Sequence, residues 1–268
     1  MPARLLTTLC MLLVATAVAA QDQPLRKLET GDQARGWDAV GRLDLGDSGF
    51  CTATLIAPSV VLTAAHCLYD KDSRSLVDTT TMEFRAGWRN GRAVAYRKVK
   101  RALAHPDYVY GGEEKFQRVA YDLAVLELDQ PIRLSSVEPF ETDLRPMKGD
   151  EVGVVSYAQD RSEVPSLQEV CHVVERQVSV LVLSCSVDFG SSGAPIFAFR
   201  DGVARVVSVV SAKAEYDGQK VALGTALDVP LAALMKELQV VSSPFQKPGP
   251  NGSSARGSAS TSAKFVKP

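Results

Sequence analysis

Short apolar runs with alternating polar positions recur along the chain from residue 37 onward, and turn-forming residues separate them. Such alternation, with β-branched and aromatic residues, indicates half-buried β-strands. Asn90-Gly91 marks one turn, and Asp201-Gly202 and Asp217-Gly218 are typical of two-residue hairpin turns. Many short strands with almost no helical periodicity predict an all-β protein of sandwich or barrel type. The runs are GFCTATLIAP, SVVLTAAHC, TMEFRAGW, AVAYRKVKRALAHP and DLAVLEL, then EVGVVSYA, EVCHVVERQ, VSVLVLSC, GAPIFAF, VARVVSVVSAKA and KVALGTALDV.

The two ends of the chain depart from this pattern. In residues 1–20, a short apolar stretch follows Arg4 and ends in small residues, which predicts a secretory signal peptide. The apolar stretch is too short for a retained membrane anchor. Residues 21–36 are polar without periodicity and predict an extended lead-in. Residues 230–241 place leucines on one face at helical spacing, which predicts a terminal amphipathic helix. Residues 242–268 are rich in Ser, Gly, Pro and Ala and predict a disordered tail.

Charge is nearly balanced, because the 268 residues include 30 Lys and Arg against 31 Asp and Glu. This balance gives no reason to expect a nucleic-acid partner or, after removal of the signal peptide, a membrane partner. The basic run at 97–101 alternates along a predicted strand and indicates an exposed strand face. The length allows one or two hydrophobic cores, and we expect a monomer.

Four cysteines remain after the signal peptide, which carries Cys10, is removed. An even number of cysteines in an exported chain predicts two disulfides, and four cysteines allow three pairings. Local pairing is favoured, because each pair closes a loop inside one predicted strand-turn-strand unit. A zinc site is the alternative, but the chain has no C-x-x-C pair and no H-E-x-x-H helix, so we expect no metal and no cofactor. The favoured pairs are Cys51 with Cys67 and Cys171 with Cys185.

The stretch DFGSSGAPIF at 188–197 sets two adjacent serines among small residues. A serine hydroxyl is a weak nucleophile until an imidazole takes its proton, and a carboxylate orients that imidazole. The chain has three histidines, His66, His105 and His172, and all precede these serines. This excludes the α/β-hydrolase arrangement, in which the nucleophile comes first and the histidine last. The order His, Asp, Ser is the one that remains.

Three motifs resemble those of the chymotrypsin/trypsin family of serine proteases. FCTATLIAPSVVLTAAHC at 50–67 resembles the segment that carries the catalytic histidine, YDLAVLEL at 121–128 resembles the strand start with the catalytic aspartate, and GSSGAP at 190–195 resembles G-D-S-G-G-P. They occur in the order found in the family. The resemblance implies two antiparallel six-stranded β-barrels with a C-terminal helix. We expect the first barrel at 37–135 and the second barrel with the helix at 136–241.

The resemblance also implies roles for individual residues. His66 is expected to be the general base, Asp122 its orienting carboxylate and Ser192 the nucleophile. The amides of Gly190 and Ser192 are expected to form the oxyanion hole, a site where each donor stabilises the transition state strongly. The implied activity is that of a secreted serine endopeptidase that acts on polypeptides through an acyl-enzyme.

Ser191 departs from the trypsin-like pattern, in which an aspartate at this position pairs with a newly cut N-terminus. A serine hydroxyl cannot form that ion pair, so we expect neutral hydrogen bonds from Ser191 to hold the loop and no need for N-terminal insertion. G-S-S-G-x-P is similar to the bacterial glutamyl-endopeptidase-like branch of the family. The pocket histidine of that branch has no counterpart after Ser192, so its preference for Glu is not carried over.

Residues 209–213 align by spacing with the family's pocket strand, which makes Ser211, Ala212 and Lys213 candidate substrate-binding residues. Lys213 is also a candidate to face an acidic substrate side chain. Two other functions stay open: a secreted binding module on the same fold that is catalytically silent, and an esterase that uses the same three residues. The expected destination is the periplasm or the exterior of a bacterium.

Overall fold

A computed structural model describes residues 22–142 and 145–242. The predicted signal peptide and nearly all of the predicted tail lie outside these residues. The described part is built mostly of strands, which confirms the all-β prediction, and it includes the predicted terminal helix. The strands are β1 (Arg26–Lys27), β2 (Val40–Leu45), β3 (Phe50–Ala57), β4 (Val60–Thr63), β5 (Met82–Ala86), β6 (Ala95–Ala104), β7 (Ala124–Leu128), β8 (Glu151–Ser156), β9 (Ser166–Gln177), β10 (Val180–Leu183), β11 (Pro195–Arg200), β12 (Val203–Tyr216) and β13 (Gln219–Ala226), and the helices are α1 (Lys115–Ala120) and α2 (Pro230–Ser242).

The first barrel closes through six antiparallel strands in the order β2-β3-β4-β7-β6-β5. Alternate residues face its interior, as β5 illustrates with buried Met82, Phe84 and Ala86 and less buried residues between them. The sequence runs did not reveal β2, because Gly41 interrupts its apolar pattern. The structure explains that glycine, since a Cβ at Gly41 would collide with the ring of Phe84.

The second barrel joins β9, β10, β13, β12, β11 and β8 in that order, and pairing of β8 with β9 closes it. The prediction of two six-stranded antiparallel barrels is therefore confirmed. Strand β1 adds to the outer edge of β9, where Arg26 pairs with Leu167. The neighbouring Leu28 is fully buried, so burial of this apolar side chain attaches the lead-in to the second barrel. Residues 31–36 of the same segment form turns.

Helix α2 packs on a hydrophobic cluster that both barrels share. Leu231, Leu234 and Leu238 of the helix belong to the same cluster as Leu62 from β4 and Val209 from β12. Burial of this leucine stripe stabilises the contact between the barrels, whose facing surfaces hold the candidate site. Among the described residues, no helix is long and apolar enough to cross a membrane.

The hairpin turns have the backbone that their sequences predict. Asp201 and Gly202 have φ of 54° and 76°, and Asp217 and Gly218 have φ of 49° and 74°. Two successive positive φ values define a turn that matches strand twist and suits Asp-Gly. The short helix α1 was not predicted, because six residues make fewer than two turns, too few to show a helical repeat.

Candidate active site

His66 lies in a short helical turn at Ala65–Leu68, directly after β4. A disulfide between Cys51 and Cys67 ties this turn to β3, and a second disulfide joins Cys171 to Cys185. The favoured local pairing is therefore confirmed. The first disulfide fixes the backbone beside the histidine and so limits where the imidazole can lie.

Asp122 lies between α1 and β7 and is only 3% exposed. Its Oδ1 accepts a 2.8 Å hydrogen bond from the His66 amide, and its Oδ2 lies 2.7 Å from Nδ1 of His66. Oδ2 also accepts a 2.5 Å hydrogen bond from the hydroxyl of Ser211 in β12. A buried carboxylate is stable only when it is hydrogen-bonded, and these three donors satisfy it. Ser211 was predicted only as a pocket residue, so its contact with Asp122 is new.

The environment of His66 favours its protonated form. Burial alone would lower the pKa of the imidazole, but the charge of Asp122 and its hydrogen bond outweigh burial and raise the pKa above 6.5. An imidazole with such a pKa takes up a proton readily near neutral pH, which is the property that a general base needs.

Ser192 lies in a tight loop that continues into β11. The amide of Thr52 donates a 2.9 Å hydrogen bond to the Ser192 carbonyl, and the amide of Gly193 donates a 2.8 Å hydrogen bond to Val210. Gly193 has a φ of 73°, and a Cβ there would collide with the Thr52 carbonyl and with Ala64. Only glycine fits this position. The two hydrogen bonds hold the loop against Thr52 of the first barrel and Val210 of the second.

The two amides predicted for the oxyanion hole are open. Within residues 22–142 and 145–242, the N–H groups of Gly190 and Ser192 have no hydrogen-bond acceptor in the protein. The hydroxyl of Thr52 donates a 2.9 Å hydrogen bond to the Gly190 carbonyl, which belongs to the peptide group between the two amides, and so anchors the backbone that connects them. Two fixed and unpaired amide donors beside a serine are suited to bind a negatively charged oxygen.

Ser191 is fully buried, and its hydroxyl is hydrogen-bonded beneath the loop that carries Ser192, on the side away from solvent. Its hydroxyl donates a 3.1 Å hydrogen bond to the Tyr157 carbonyl and accepts one from the Asp188 amide at 3.2 Å. Nη2 of the buried Arg161 donates a third at 3.3 Å. We expected only neutral partners for Ser191, and the guanidinium is a charged one. The sequence analysis did not identify Arg161, because it lies 30 positions from Ser191 and meets it only in the folded barrel.

The same arginine supports the strand end beside the loop. Nη1 of Arg161 donates hydrogen bonds to the Ser156 carbonyl at 2.7 Å and to the Ser156 hydroxyl at 3.1 Å. Burial lowers the pKa of this guanidinium, while the charges of Asp160 and Asp188 raise it. Its donors are thus used to connect the end of β8 with the loop that carries Ser192.

A cavity of about 390 Å³ joins the candidate residues in the cleft between the barrels. His66 and Ser192 both line it, together with Gly190. The structure thus brings together the residues predicted for general base, nucleophile and oxyanion hole. The three predicted substrate-binding residues also line this cavity: Ser211, Ala212 and Lys213.

One group of potential metal ligands occurs among the described residues. It consists of Cys51, His66 and Cys67, whose ligand atoms lie within 4.8 Å of one another. Both sulfur atoms are bonded to each other in the disulfide, so they are not available as thiolates. This group therefore does not have the chemistry of a zinc site.

Two closed barrels with a histidine, an aspartate and a serine at the cleft between them define a protein of the chymotrypsin fold. The chain belongs to the trypsin family, whose model, described as Trypsin, matches residues 29–229. Among solved structures, one titled "Structure of Glu endopeptidase in complex with MPD" superposes with a TM-score of 0.66 at 19% identity, covering 82% of this chain and 98% of that one. This similarity shows the shared fold.

Curated relatives match over shorter stretches. Glutamyl endopeptidase of Bacillus licheniformis is 27% identical over 150 residues, which are 56% of this chain and 45% of that protein. Trypsin of Phaedon cochleariae is 34% identical over 105 residues, 38% of this chain and 36% of that protein. Modular serine protease of Drosophila melanogaster is 32% identical over 89 residues, 32% of this chain and 14% of that protein. The chain thus spans less than half the length of these relatives.

Proposed function

We propose that the protein is a secreted serine endopeptidase that hydrolyses peptide bonds through an acyl-enzyme. The observation that carries this proposal is the hydrogen-bonded pair of His66 and Asp122 in the same cavity as Ser192. Membership of the trypsin family and the names of the relatives support a peptidase activity. A polypeptide substrate also suits the open cleft between the barrels.

In the proposed mechanism, Ser192 Oγ attacks the carbonyl carbon of the scissile bond while Nε2 of His66 takes the hydroxyl proton. Asp122 keeps the proton of His66 on Nδ1 and stabilises the imidazolium. The amides of Gly190 and Ser192 bind the oxyanion. His66 then gives its proton to the leaving amine, and a water molecule hydrolyses the acyl-enzyme by the same steps in reverse order.

The loop that carries Ser192 is proposed to be assembled without N-terminal insertion. Ser191 is fully buried, and three protein partners satisfy its hydroxyl. Arg161 supplies a fixed internal charge beside the loop, where trypsin-like enzymes rely on an ion pair made after cleavage. This arrangement leaves the two oxyanion amides open in the uncleaved chain.

Secretion is part of the proposal. Disulfides form and persist in oxidising compartments, and the described chain has two of them. The signal-peptide pattern of residues 1–20 supports export, although these residues lie outside the described part of the structure. The domain boundaries at 36/37 and 135/136, the disordered tail at 242–268 and a monomeric state remain predictions.

The activity is tested with the protein recovered after export of the full chain from a bacterial host. We expect cleavage of a mixed peptide library, and loss of cleavage in Ser192→Ala and in His66→Ala. Hydrolysis of a small ester without any peptide cleavage would instead support an esterase. Absence of both activities in the folded wild-type protein would favour the binding module and would refute the proposal.

A further inference from the structure

An ion pair spans the part of the cavity next to Ser192. Nζ of Lys213 donates a 2.7 Å hydrogen bond to Oδ1 of Asp188. Lys213 belongs to β12, whereas Asp188 belongs to the loop that leads to Ser192, so the two residues come from opposite walls. The Lys213 ammonium also lies 4.2 Å from the ring centre of Phe189, a distance typical of a cation–π contact. We call Asp188 and Lys213 the pocket clasp.

The pocket clasp separates two cavities. The front cavity, of about 390 Å³, is lined by His66 and Ser192 and extends past them to Tyr69 and Tyr110. A rear cavity of about 450 Å³ is lined by Ser186, Glu215 and Lys220, among others. Val187, Asp188 and Lys213 line both cavities. Because the pair lines both cavities, a side chain that extended from Ser192 toward the rear cavity would contact it.

Asp188 is fixed to the loop that carries Ser192. Its Oδ1 accepts a 2.7 Å hydrogen bond from the Phe189 amide, and its own amide donates to Ser191 Oγ at 3.2 Å. The hydrogen bond from Lys213, followed by that from the Phe189 amide, lowers the pKa of the Asp188 carboxyl. The pocket clasp therefore carries one positive and one negative charge and is neutral overall.

A charged substrate side chain that pairs with one member of the clasp takes that member from its present partner. An acidic side chain that bound Lys213 would leave Asp188 unpaired next to a second carboxylate, and like charges at such distances repel. A basic side chain that bound Asp188 would leave Lys213 unpaired next to a second cation. The Lys213 and Asp188 side chains are 46% and 58% exposed, so a long apolar side chain would remove water from both charges without replacing their contact. A short uncharged side chain needs none of these changes.

We propose that Asp188 and Lys213 determine specificity by closing the primary pocket, so that the enzyme prefers a small uncharged side chain before the scissile bond. This inference rests on the proposed function. It differs from the expectation that Lys213 alone would face an acidic substrate, because the lysine already has a carboxylate partner. Alanine, serine, threonine and valine are the expected residues at that position of the substrate.

The test uses peptides that differ only in the residue before the scissile bond: Ala, Leu, Glu or Lys. For the exported wild-type protein we expect kcat/KM for Ala to exceed each of the others at least tenfold. Asp188→Asn leaves the lysine charge unpaired, so the ratio of Glu to Ala should rise at least tenfold. Lys213→Gln leaves the aspartate charge unpaired and shortens the side chain by only one atom, so the ratio of Lys to Ala should rise at least tenfold.

Two further variants separate charge from size. Lys213→Ala removes the side chain beyond Cβ, so the ratio of Leu to Ala should rise much more in this variant than in Lys213→Gln. Lys236→Gln on α2 makes the same charge change outside the cavity and should leave all ratios at wild-type values. If the kcat/KM ratios between peptides do not change in Asp188→Asn or Lys213→Gln, the proposed role of the clasp in specificity is refuted.

Labelling of Ser192 by a simple alkyl fluorophosphonate, which has no side chain for this pocket, is measured in parallel. If Ser192 is labelled and the wild-type protein prefers peptides with Glu, Leu or Lys before the scissile bond, the specificity proposal is wrong and the proposed function still holds. Absence of labelling and of all cleavage in the folded protein would overturn both.

Discussion

The hydroxyl of Ser211 donates a 2.5 Å hydrogen bond to Oδ2 of Asp122, the oxygen that also lies 2.7 Å from Nδ1 of His66. Ser211 belongs to the second barrel and Asp122 to the first. This bond therefore crosses the cleft and makes the position of the carboxylate depend on how the barrels pack. Helix α2, which packs on a cluster shared by both barrels, supports the same geometry.

Removal of the Ser211 hydroxyl should weaken the proposed catalysis. Hydrogen bonds to charged groups contribute about 1.5–3 kcal/mol, so we expect Ser211→Ala to lower kcat/KM roughly 10- to 100-fold. Most of the loss should appear in kcat, because the bond orients the acid–base pair rather than the substrate. Steady-state kinetics on one peptide measures this, and Ser211→Thr, which keeps a hydroxyl, should recover part of the rate. An unchanged kcat in Ser211→Ala would contradict the role given to this bond.

The pKa of His66 should set the acid limb of the pH profile. The charge and hydrogen bond of Asp122 raise this pKa above 6.5, and the imidazole must be neutral to accept the serine proton. Activity should therefore be retained at high pH and decline as the pH falls through the pKa of His66, which lies above 6.5. A profile of kcat/KM against pH gives the midpoint directly.

Asp122→Asn removes the charge that raises the pKa of His66. The acid limb should then shift to lower pH, and kcat should fall about 10⁴-fold because the imidazole adopts the wrong tautomer. Comparison of the two pH profiles is the measurement. An acid limb that stays at the wild-type pH in this variant would show that Asp122 does not control the titration of His66.

Arg161 should matter more for activity than for folding. Arg161→Met removes the guanidinium donors to Ser191 and Ser156, and the oxyanion loop loses its internal support. If one oxyanion donor is displaced, the rate of acylation should fall roughly 100- to 1,000-fold. Methionine keeps a similar volume but leaves the buried Ser156 carbonyl without the guanidinium donor, so urea unfolding should show a loss of stability of about 1–3 kcal/mol. Arg26→Met, at an exposed ion pair, is the matched control.

A wild-type acylation rate in Arg161→Met would contradict this account of the loop. So would an obligatory cleavage within residues 21–36 that buried the new N-terminus beside Ser191. N-terminal sequencing of the active protein distinguishes these cases.

The disulfide between Cys171 and Cys185 should stabilise the second barrel. It closes a loop with a sequence separation of 14 residues, for which the loss of unfolded-state entropy amounts to about 3 kcal/mol. Replacement of both cysteines by alanine should lower the free energy of unfolding by roughly that amount. Urea denaturation measures it, and non-reducing peptide mapping checks the pairing. A peptide that links Cys67 to Cys171 would contradict the structure.

Local backbone requirements explain why much of the site was visible in the sequence. Gly193 must be glycine because no Cβ fits beside Thr52, and the run around His66 must form a strand, a tight turn and a disulfide. Such demands fall on consecutive residues, and they leave recognisable motifs. The alternation of apolar residues likewise revealed most strands of both barrels, whereas β2 escaped because Gly41 packs against Phe84.

Contacts between residues far apart in the chain left no such trace. Arg161 and Ser191 are separated by 30 positions, and Asp188 and Lys213 by 25. Ser191 and Lys213 were recognised from their positions in family motifs, but nothing in the sequence pointed to Arg161 or Asp188 as their partners, because only the closed barrel brings the pairs together. Attachment of β1 to β9 is of the same kind, because the residues at 21–36 have no periodicity of their own.

In the proposed mechanism, His66, Asp122 and the oxyanion amides activate Ser192 in the exported chain without any cleavage after removal of the signal peptide. The most direct measurement is labelling of that protein with a fluorophosphonate, with the adduct located by mass spectrometry and Ser192→Ala treated in the same way. We expect one adduct on Ser192 in the wild type and none in the variant. A folded wild-type protein with no adduct, or with an adduct on another residue, would contradict the proposed mechanism.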